Sequence, residues 1–382
     1  MSIRFTTISL TCAALVVGAA CFAGCGDSTN LQPVAEAGAD AGADVGADSP
    51  SAPDASDSAV DAGCGDVMSS AKNCGACGHD CFGGACAAGV CGPFKLGSAT
   101  VAWLDADDDA AYYLSDTGAA DKPLFRAALA GGAPQQLGTS GNGLQLGQTA
   151  KSVIGLAGSP GFVAFAKDGS SAGVPKALGV ALMGINTTVG GGGKYATMAT
   201  PGVSLSIVDE TTGTISTFTD GSGATFLFPL VSTAGVYMMT NKTSLITVPL
   251  PPPADGALPT AQPLAFSPLR CVVGGALLVC STADAVVSVP LATPTVAPSN
   301  VTSPANVPFW PGNGYPRALA ADATLVTWYE ATNDSIVTCP ITGCATPKVI
   351  AAGVGAAALV ALTSNALVYY DSTHSEVRAI AR

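Results

Sequence analysis

Charged residues are scarce in this chain. Asp, Glu, Lys and Arg make up 11% of its 382 residues, less than half of the roughly 25% that is usual in soluble domains. Fifteen basic residues stand against 27 acidic ones, which gives a net charge of −12. A protein that binds nucleic acid needs a concentration of Lys and Arg on its surface. The charge balance therefore argues against a nucleic-acid partner.

Histidine is almost absent as well. The chain has only His79 and His374, and neither has a recognisable nucleophile and acid around it. The sequence contains no G-x-S-x-G elbow, no P-loop and no H-E-x-x-H motif. Residues 190–193 are four glycines before Lys194, but their spacing and the missing Ser or Thr predict a flexible loop. We therefore assign no catalytic residue.

Residues 1–25 have the pattern of an export signal. The apolar stretch 8–22 is shorter than the about 20 residues that span a membrane. It ends in Phe22-Ala23-Gly24-Cys25, which resembles the lipobox of bacterial lipoproteins, although Phe22 stands where an aliphatic residue is usual. The resemblance implies that Cys25 carries a lipid and becomes the N-terminus. The alternative is an ordinary signal peptide cleaved before Cys25, which would leave an unpaired thiol.

The next 38 residues, 26–63, predict a disordered tether. They consist mainly of Ala, Gly, Asp, Ser and Pro, with eight acidic residues and no basic one. Such a segment has too little apolar surface to offset the entropy of ordering, and its like charges repel one another. Gly26, rather than Asp, follows the lipobox cysteine. By the same resemblance, this favours the outer membrane, on its periplasmic or its outer side.

Residues 64–94 form a small cysteine-rich module. Its cysteines are Cys64, Cys74, Cys77, Cys81, Cys86 and Cys91. An even number at this density after an export signal predicts disulfides, in any of 15 pairings. The alternative is a zinc site around Cys74, Cys77 and His79. The segment resembles the modules of stigma-specific proteins and of secreted bacterial lipoproteins, a resemblance that implies no chemistry.

The rest of the chain, residues 95–382, repeats a pattern of apolar runs and polar turns. Seven units have a strand that ends on an apolar residue: Leu129, Leu182, Phe218, Leu250, Leu291, Ile341 and Ile380. These ends are about 42 residues apart on average, which is the length of a propeller blade. The pattern predicts an all-β fold, a β-propeller of seven blades, or of six because the second and third units are poorly formed.

Closure of the ring is predicted from the two ends of this region. The last unit stops after its third strand, and residues 95–98 could supply the missing fourth, which would remove a free sheet edge. Residues 349–370 contain no charge and are long enough to cross a membrane. Because Gly353, Gly355 and the sequence Thr363-Ser364-Asn365 interrupt them, two buried strands and a turn fit better.

Four further cysteines lie in the repeat region. Cys271 and Cys280 are expected to face each other in a hairpin, and Cys339 and Cys344 flank a turn that contains Gly343. Local pairing is the simplest of the three possible connectivities.

Two stretches could bind a ligand. Asp105, Asp107 and Asp109 alternate, which suits calcium, but the Gly and Glu of a calcium loop are missing, and this favours a plain Asp-rich turn. The second stretch, residues 306–317, gathers aromatic side chains in a chain that is 6% aromatic. Such rings can anchor a partner, or they can plug the propeller. The candidate binding residues are Phe309, Trp310, Tyr315 and Arg317.

Taken together, the sequence resembles exported bacterial lipoproteins with a β-propeller domain. That resemblance implies the architecture and not the activity. Our first hypothesis for the function is a monomeric, non-catalytic binding or scaffolding protein of the cell envelope, held at the membrane by its lipid, with an envelope protein or glycan as the expected partner. We expect no cofactor, with calcium as the alternative. The alternative function is an extracellular propeller lyase or hydrolase that acts on polymers. The scarcity of His and of charge argues against it.

Overall fold

A computed structural model describes residues 64–141, 146–157, 161–170, 176–177, 188–200, 204–219, 226–240, 243–254, 257–302 and 318–382. They lie in one compact unit, Ala59–Arg382. Cys25, the predicted tether and the aromatic loop lie outside the described residues. Every regular element within these ranges is a β-strand, and none of them contains a helix that could cross a membrane.

The first three strands precede the repeats: β1 (Cys86–Ala87), β2 (Val90–Cys91) and β3 (Phe94–Ser98). Blades 1 to 3 follow in chain order: β4 (Val101–Ala106), β5 (Ala110–Ser115), β6 (Lys122–Ala128), β7 (Gln135–Ser140); β8 (Gly147–Gln148), β9 (Ser152–Ala157), β10 (Gly161–Ala166), β11 (Lys176–Ala177); β12 (Thr188–Gly192), β13 (Tyr195–Thr200), β14 (Ser204–Asp209), β15 (Ile215–Thr219).

Blades 4 and 5 contain β16 (Phe226–Val231), β17 (Gly235–Thr240), β18 (Ser244–Pro249), β19 (Gln262–Pro263); β20 (Arg270–Gly274), β21 (Leu277–Ser281), β22 (Val286–Pro290), β23 (Ser299–Asn300). Blades 6 and 7 contain β24 (Leu319–Ala321), β25 (Leu325–Glu330), β26 (Ser335–Pro340), β27 (Lys348–Ala352); β28 (Leu359–Leu362), β29 (Ala366–Asp371), β30 (Glu376–Ala381).

These strands form a closed propeller of seven four-stranded antiparallel blades. The seventh blade is completed by β3, which pairs with β30 from Phe94↔Ala379 to Ser98↔Glu376. The innermost strands, β8 to β28 in steps of four, contact one another in sequence, and β28 contacts β4. The predicted closure by residues 95–98 is therefore confirmed, and the blade number is seven rather than six.

The core lies between neighbouring blades. One cluster packs Tyr112 and Leu124 of blade 1 against Val153 and Phe165 of blade 2, and the other described blade clusters likewise join two blades. A middle strand is covered on both sides, so all six residues of β17 and of β29 are buried. This double burial explains why continuous apolar runs, rather than alternating ones, mark these strands in the sequence.

In blades 2 and 3 the predicted strands are shifted by one strand position relative to the blade. In each unit the sequence predicts a hairpin between the strand that ends on the apolar residue named above and the apolar run before it, Gly161–Ala166 and residues 178–182 in the second unit. In the other five blades this hairpin is formed by the second and third strands. In blade 3 the corresponding strands, β14 and β15, are instead third and fourth, and β10 is the third strand of blade 2. Its predicted partner, residues 178–182, lies outside the described residues.

The prediction of a flexible loop at residues 190–193 was wrong for three of the four glycines. They belong to β12, the innermost strand of blade 3, which pairs with β13. A Cβ atom on Gly191 would lie 2.4 Å from the backbone oxygen of Gln148. Glycine is needed there because the innermost strands of blades 2 and 3 approach closely near the axis.

The described residues form five disulfides. In the cysteine-rich module they join Cys64 to Cys77, Cys74 to Cys86 and Cys81 to Cys91. The sulfurs of Cys74, Cys81 and Cys91 lie within 4.8 Å of one another, but each is already bonded to another cysteine and is no thiolate for zinc. The two local pairs predicted in the repeat region, Cys271–Cys280 and Cys339–Cys344, are also formed.

The module packs on the last blade. Cys81 and Cys91 form a small core with Ala381 of β30, and the rings of Phe82 and Phe94 lie 6.5 Å apart. The uncharged stretch 349–370 runs from β27 of blade 6 to β29 of blade 7. The two predicted buried strands are β28 and β29, joined by the turn at residues 363–365, whereas β27 was not predicted.

Candidate functional site

The innermost strands of blades 1 to 5 surround a cavity of about 220 Å³ on the axis of the propeller. Apolar side chains from β16 and β20 form part of its wall. The wall also carries four residues whose side chains can bind a ligand: Trp103 and Asp105 from β4, Gln148 from β8 and Arg270 from β20. We call this space the axial cavity. Its residues are spread over more than 160 positions of sequence and meet only because the ring closes.

Asp105 is the acidic group of the axial cavity. Its Oδ1 accepts a hydrogen bond of 2.9 Å from the backbone N–H of Ala106. Burial raises the pKa of Asp105 to about 6, while the hydrogen bonds from Gln148 and Ala106 and the charge of Lys167 act in the opposite direction. The carboxylate is therefore mostly ionised at neutral pH although it has lost much of its hydration.

Gln148 presents an acceptor without a partner. Its side chain hydrogen-bonds the Asp105 carboxylate. The amide NH₂ group is the donor in this bond, because an ionised carboxylate can only accept. The amide oxygen, Oε1, is buried and has no hydrogen-bond partner among the described residues. A buried acceptor in this state costs about 1–3 kcal/mol. The carboxylate and the free amide oxygen thus lie side by side in the cavity wall.

The position of the Trp103 side chain is fixed by packing on the side away from the cavity. It packs against the apolar cluster that joins blades 1 and 2, which includes Ala102 and Leu146, while another part of its side chain lines the cavity. A side chain fixed in this way loses little entropy when a ligand binds to it.

A second concave surface lies where the turns of blades 2 and 3 meet. This groove, of about 620 Å³, is lined by Lys151, Lys167, Lys194 and Glu210, among others. Glu210 of blade 3 accepts hydrogen bonds from Thr149 Oγ1, at 2.5 Å, and from Ser152 Oγ, both of blade 2. The groove residues therefore connect the two blades.

Two of the groove lysines are already neutralised. Lys167 Nζ lies 2.8 Å from Asp107 Oδ2, and Lys194 Nζ lies 2.7 Å from Asp209 Oδ2. This leaves Lys151 as the one groove lysine without an ion pair among the described residues. A single exposed ammonium is a poor basis for anion binding, so we favour the axial cavity as the candidate site.

The three aspartates considered for calcium have different surroundings. Asp105 lies in the axial cavity. Asp107 Oδ1 accepts the backbone N–H groups of Asp109 and Ala110, and Asp107 Oδ2 accepts Tyr112 Oη and the Lys167 ammonium. Asp109 is exposed. Within the described part of the chain, no group of three acidic residues brings its oxygens within 4.8 Å of one another.

The other candidates from the sequence are not placed. Phe309, Trp310, Tyr315 and Arg317 lie outside the described residues, in the connection from β23 to β24. Sequence reasoning missed Trp103, Gln148 and Arg270. The spacing between Trp103 and Asp105 could have revealed Trp103, because residues two positions apart on a strand point to the same side.

No protein-family model matches the sequence, and no curated protein matches it. The structure is similar to virginiamycin B lyase from Staphylococcus aureus, with a TM-score of 0.54, 10% identity and coverage of 76% of this chain and 98% of that one. It is also similar to PorZ of Porphyromonas gingivalis, with a TM-score of 0.52, 12% identity and coverage of 76% of this chain. The match spans 39% of the length of PorZ. At these identities the likeness shows the β-propeller fold alone.

Proposed function

We propose that this protein is an exported, lipid-anchored binding protein of the bacterial cell envelope, built on a non-catalytic β-propeller. The observation that carries the proposal is the axial cavity. Its polar side chains stand on strands of a closed ring rather than on loops, and a rigid scaffold that holds polar groups around a small space is suited to binding.

The disulfides support export. Five disulfides in one chain are typical of an oxidising compartment outside the cytosol. The signal-like residues 1–25, with a lipobox-like end at Cys25, supply both the export route and the anchor. PorZ, described as a bacterial surface component of a secretion system, is an example of a similar fold at a bacterial surface.

The surroundings of the two histidines support a non-catalytic role. His79 Nδ1 lies 2.6 Å from the backbone oxygen of Cys74, and His374 Nδ1 lies 2.8 Å from Asp371 Oδ2. Neither is hydrogen-bonded to a Ser, Thr or Cys side chain in the described part of the chain, so neither has a nucleophile to activate.

The anchor is tested by a Cys25→Ser variant expressed in a bacterium that processes lipoproteins. We expect the variant to move from the membrane fraction to the soluble periplasmic fraction. A Cys21→Ser variant is the matched control, because Cys21 lies in the apolar stretch before the lipobox, and it should stay with the membrane. If Cys25→Ser protein remained membrane-bound after a high-salt wash, the lipid anchor would be refuted.

Binding without turnover is tested by incubating the purified protein with peptidoglycan and lipopolysaccharide. We expect retention of the protein on one of these polymers without release of reducing or unsaturated sugar ends. Release of such products would support the alternative, an extracellular lyase or hydrolase, and would overturn the non-catalytic part of the proposal.

A further inference from the structure

We infer that the axial cavity binds a single neutral, hydroxylated ring, such as a monosaccharide or the terminal residue of a glycan, through Trp103, Asp105, Gln148 and Arg270. The inference rests on the proposed binding function and names its ligand class and site. Four properties of the cavity lead to it: its size, its two adjacent acceptors, its balance of charge and its aromatic wall.

The volume of the cavity suits one ring. Pockets for drug-sized molecules enclose roughly 300–1,000 Å³, and the axial cavity encloses about 220 Å³. Its walls are strands of a closed ring. Gly191, which lies against the backbone oxygen of Gln148, leaves no room for widening on that side.

The two adjacent acceptors require a ligand that donates. Gln148 Oε1 is buried and unpartnered, and beside it the Asp105 carboxylate has lost hydration on burial. Neighbouring hydroxyl groups on one ring could donate to both oxygens at once. Satisfying a buried acceptor removes a penalty that the free protein already bears, so this contact favours the bound state strongly.

The charges around the cavity favour a neutral ligand. An anion would meet the Asp105 carboxylate, and a cation would meet the positive charge of Arg270, which also lines the cavity. A hydroxylated ring avoids both conflicts, because its hydroxyl groups donate to the carboxylate and its oxygens accept from an arginine.

The aromatic wall suits the C–H faces of such a ring. Trp103 offers an apolar surface whose position is fixed by the cluster behind it, and Leu230 and Val231 add apolar surface from β16. A wall that combines one indole with planar polar groups binds a molecule that is apolar on its faces and polar at its edge.

The test is calorimetric titration of the full mature chain with glucose, galactose and N-acetylglucosamine, and with glucosamine and glucuronate as the cationic and anionic counterparts. We expect at least one neutral sugar to bind and the charged sugars to bind at least about tenfold more weakly. Comparing a free sugar with oligosaccharides that end in the same residue distinguishes a small-molecule ligand from a glycan terminus.

Gln148→Met is the decisive variant. It removes the unpartnered oxygen, which favours the folded state, and also the amide's hydrogen bond to Asp105, which opposes that gain. We therefore expect only a small change in the melting temperature of the free protein, while sugar affinity falls at least about tenfold, as for the loss of one hydrogen bond to a buried group. Trp103→Leu should also weaken binding. Lys151→Gln, in the groove between blades 2 and 3, is the control and should bind as the wild type does.

Three outcomes would overturn the inference: no neutral sugar binds at millimolar concentration, a charged sugar binds best, or the Gln148→Met and Trp103→Leu variants bind with unchanged affinity. In the first case the cavity holds water only. These results are distinct from failure of the proposed function. If the Gln148→Met and Trp103→Leu proteins still bound peptidoglycan or lipopolysaccharide as the wild type does, the protein would be a binding protein whose site lies elsewhere.

Discussion

Arg382 connects the last two blades of the ring. Its guanidinium bonds through Nη1 to the Asp322 carboxylate, in the turn between β24 and β25 of blade 6. The same nitrogen lies 2.5 Å from the backbone oxygen of Thr363, in the turn between β28 and β29 of blade 7, and Nη2 lies 3.2 Å from Thr324 Oγ1. Replacing Arg382 by Ala removes all three side-chain contacts between these turns.

The expected loss of stability is about 1–2 kcal/mol. A hydrogen bond to a charged group contributes about 1.5–3 kcal/mol when well shielded, but these side chains are 17% and 29% exposed, so solvent screening reduces the gain. For a chain of this size, such a loss lowers the melting temperature by about 2–6 °C. Lys72→Ala is the control: its ammonium pairs with Asp80 but is 79% exposed, and its removal should change nothing measurable.

The pH dependence tests the mechanism. Burial alone would raise the pKa of Asp322, but hydrogen bonds from Arg382, from the backbone of Leu325 and Thr324, and from the Thr324 hydroxyl lower it from 3.8 to about 2. Because the folded-state pKa is the lower one, the ionised carboxylate stabilises the protein above pH 3.8. That contribution is lost as the pH falls from about 4 to 2.

The stability difference between wild type and Arg382→Ala should therefore shrink across that pH window in thermal unfolding experiments. A difference that stays constant down to pH 2 would show that Arg382 acts through packing rather than through Asp322. A double variant, Arg382→Ala with Asp322→Asn, whose loss equals the sum of the two single losses would refute the pairing itself.

Two further predictions concern the cysteines and the aromatic loop. Thiol labelling of denatured, unreduced protein should find none of the ten cysteines from Cys64 onward free, and labelling after reduction should find all ten. Stoichiometric zinc, or several reactive thiols in the cysteine-rich module, would contradict this prediction. Truncating Trp310 and Tyr315 to Ala should weaken retention on envelope polymers by about 2 kcal/mol or more if the rings are hot spots, with an unchanged melting temperature, whereas a large fall in melting temperature would show that they are core.

The blades were predictable where their middle strands are long and apolar. In blade 6, Trp328 is completely buried, and the run that contains it is followed by a polar turn and a second apolar run, so the hairpin is readable from sequence alone. The same is true of the closing strand, because a unit that stops after three strands needs a fourth from elsewhere. Local disulfides were predictable because a hairpin places its two cysteines opposite each other, as Cys271 and Cys280 are.

The innermost strands were not predictable. Some are short, such as β8 and β24, and β12 is glycine-rich, since backbones converge near the axis. A run such as residues 190–192 carries no side chains with β-propensity. The axial cavity was missed for the same reason. Its wall takes one to four residues from each of five blades, and no local motif can reveal a set of residues assembled by ring closure.

The scarcity of charge therefore says less about function than it first indicates. A seven-bladed ring buries its middle strands on both sides, and that architecture alone excludes charge from a large part of the chain. The informative residues are the polar ones that remain on the innermost strands in spite of this constraint. Asp105 and Gln148 occupy such positions, and one of them carries an unsatisfied buried acceptor. Retaining that acceptor at a cost to stability is the pattern expected of a site that is completed by a ligand.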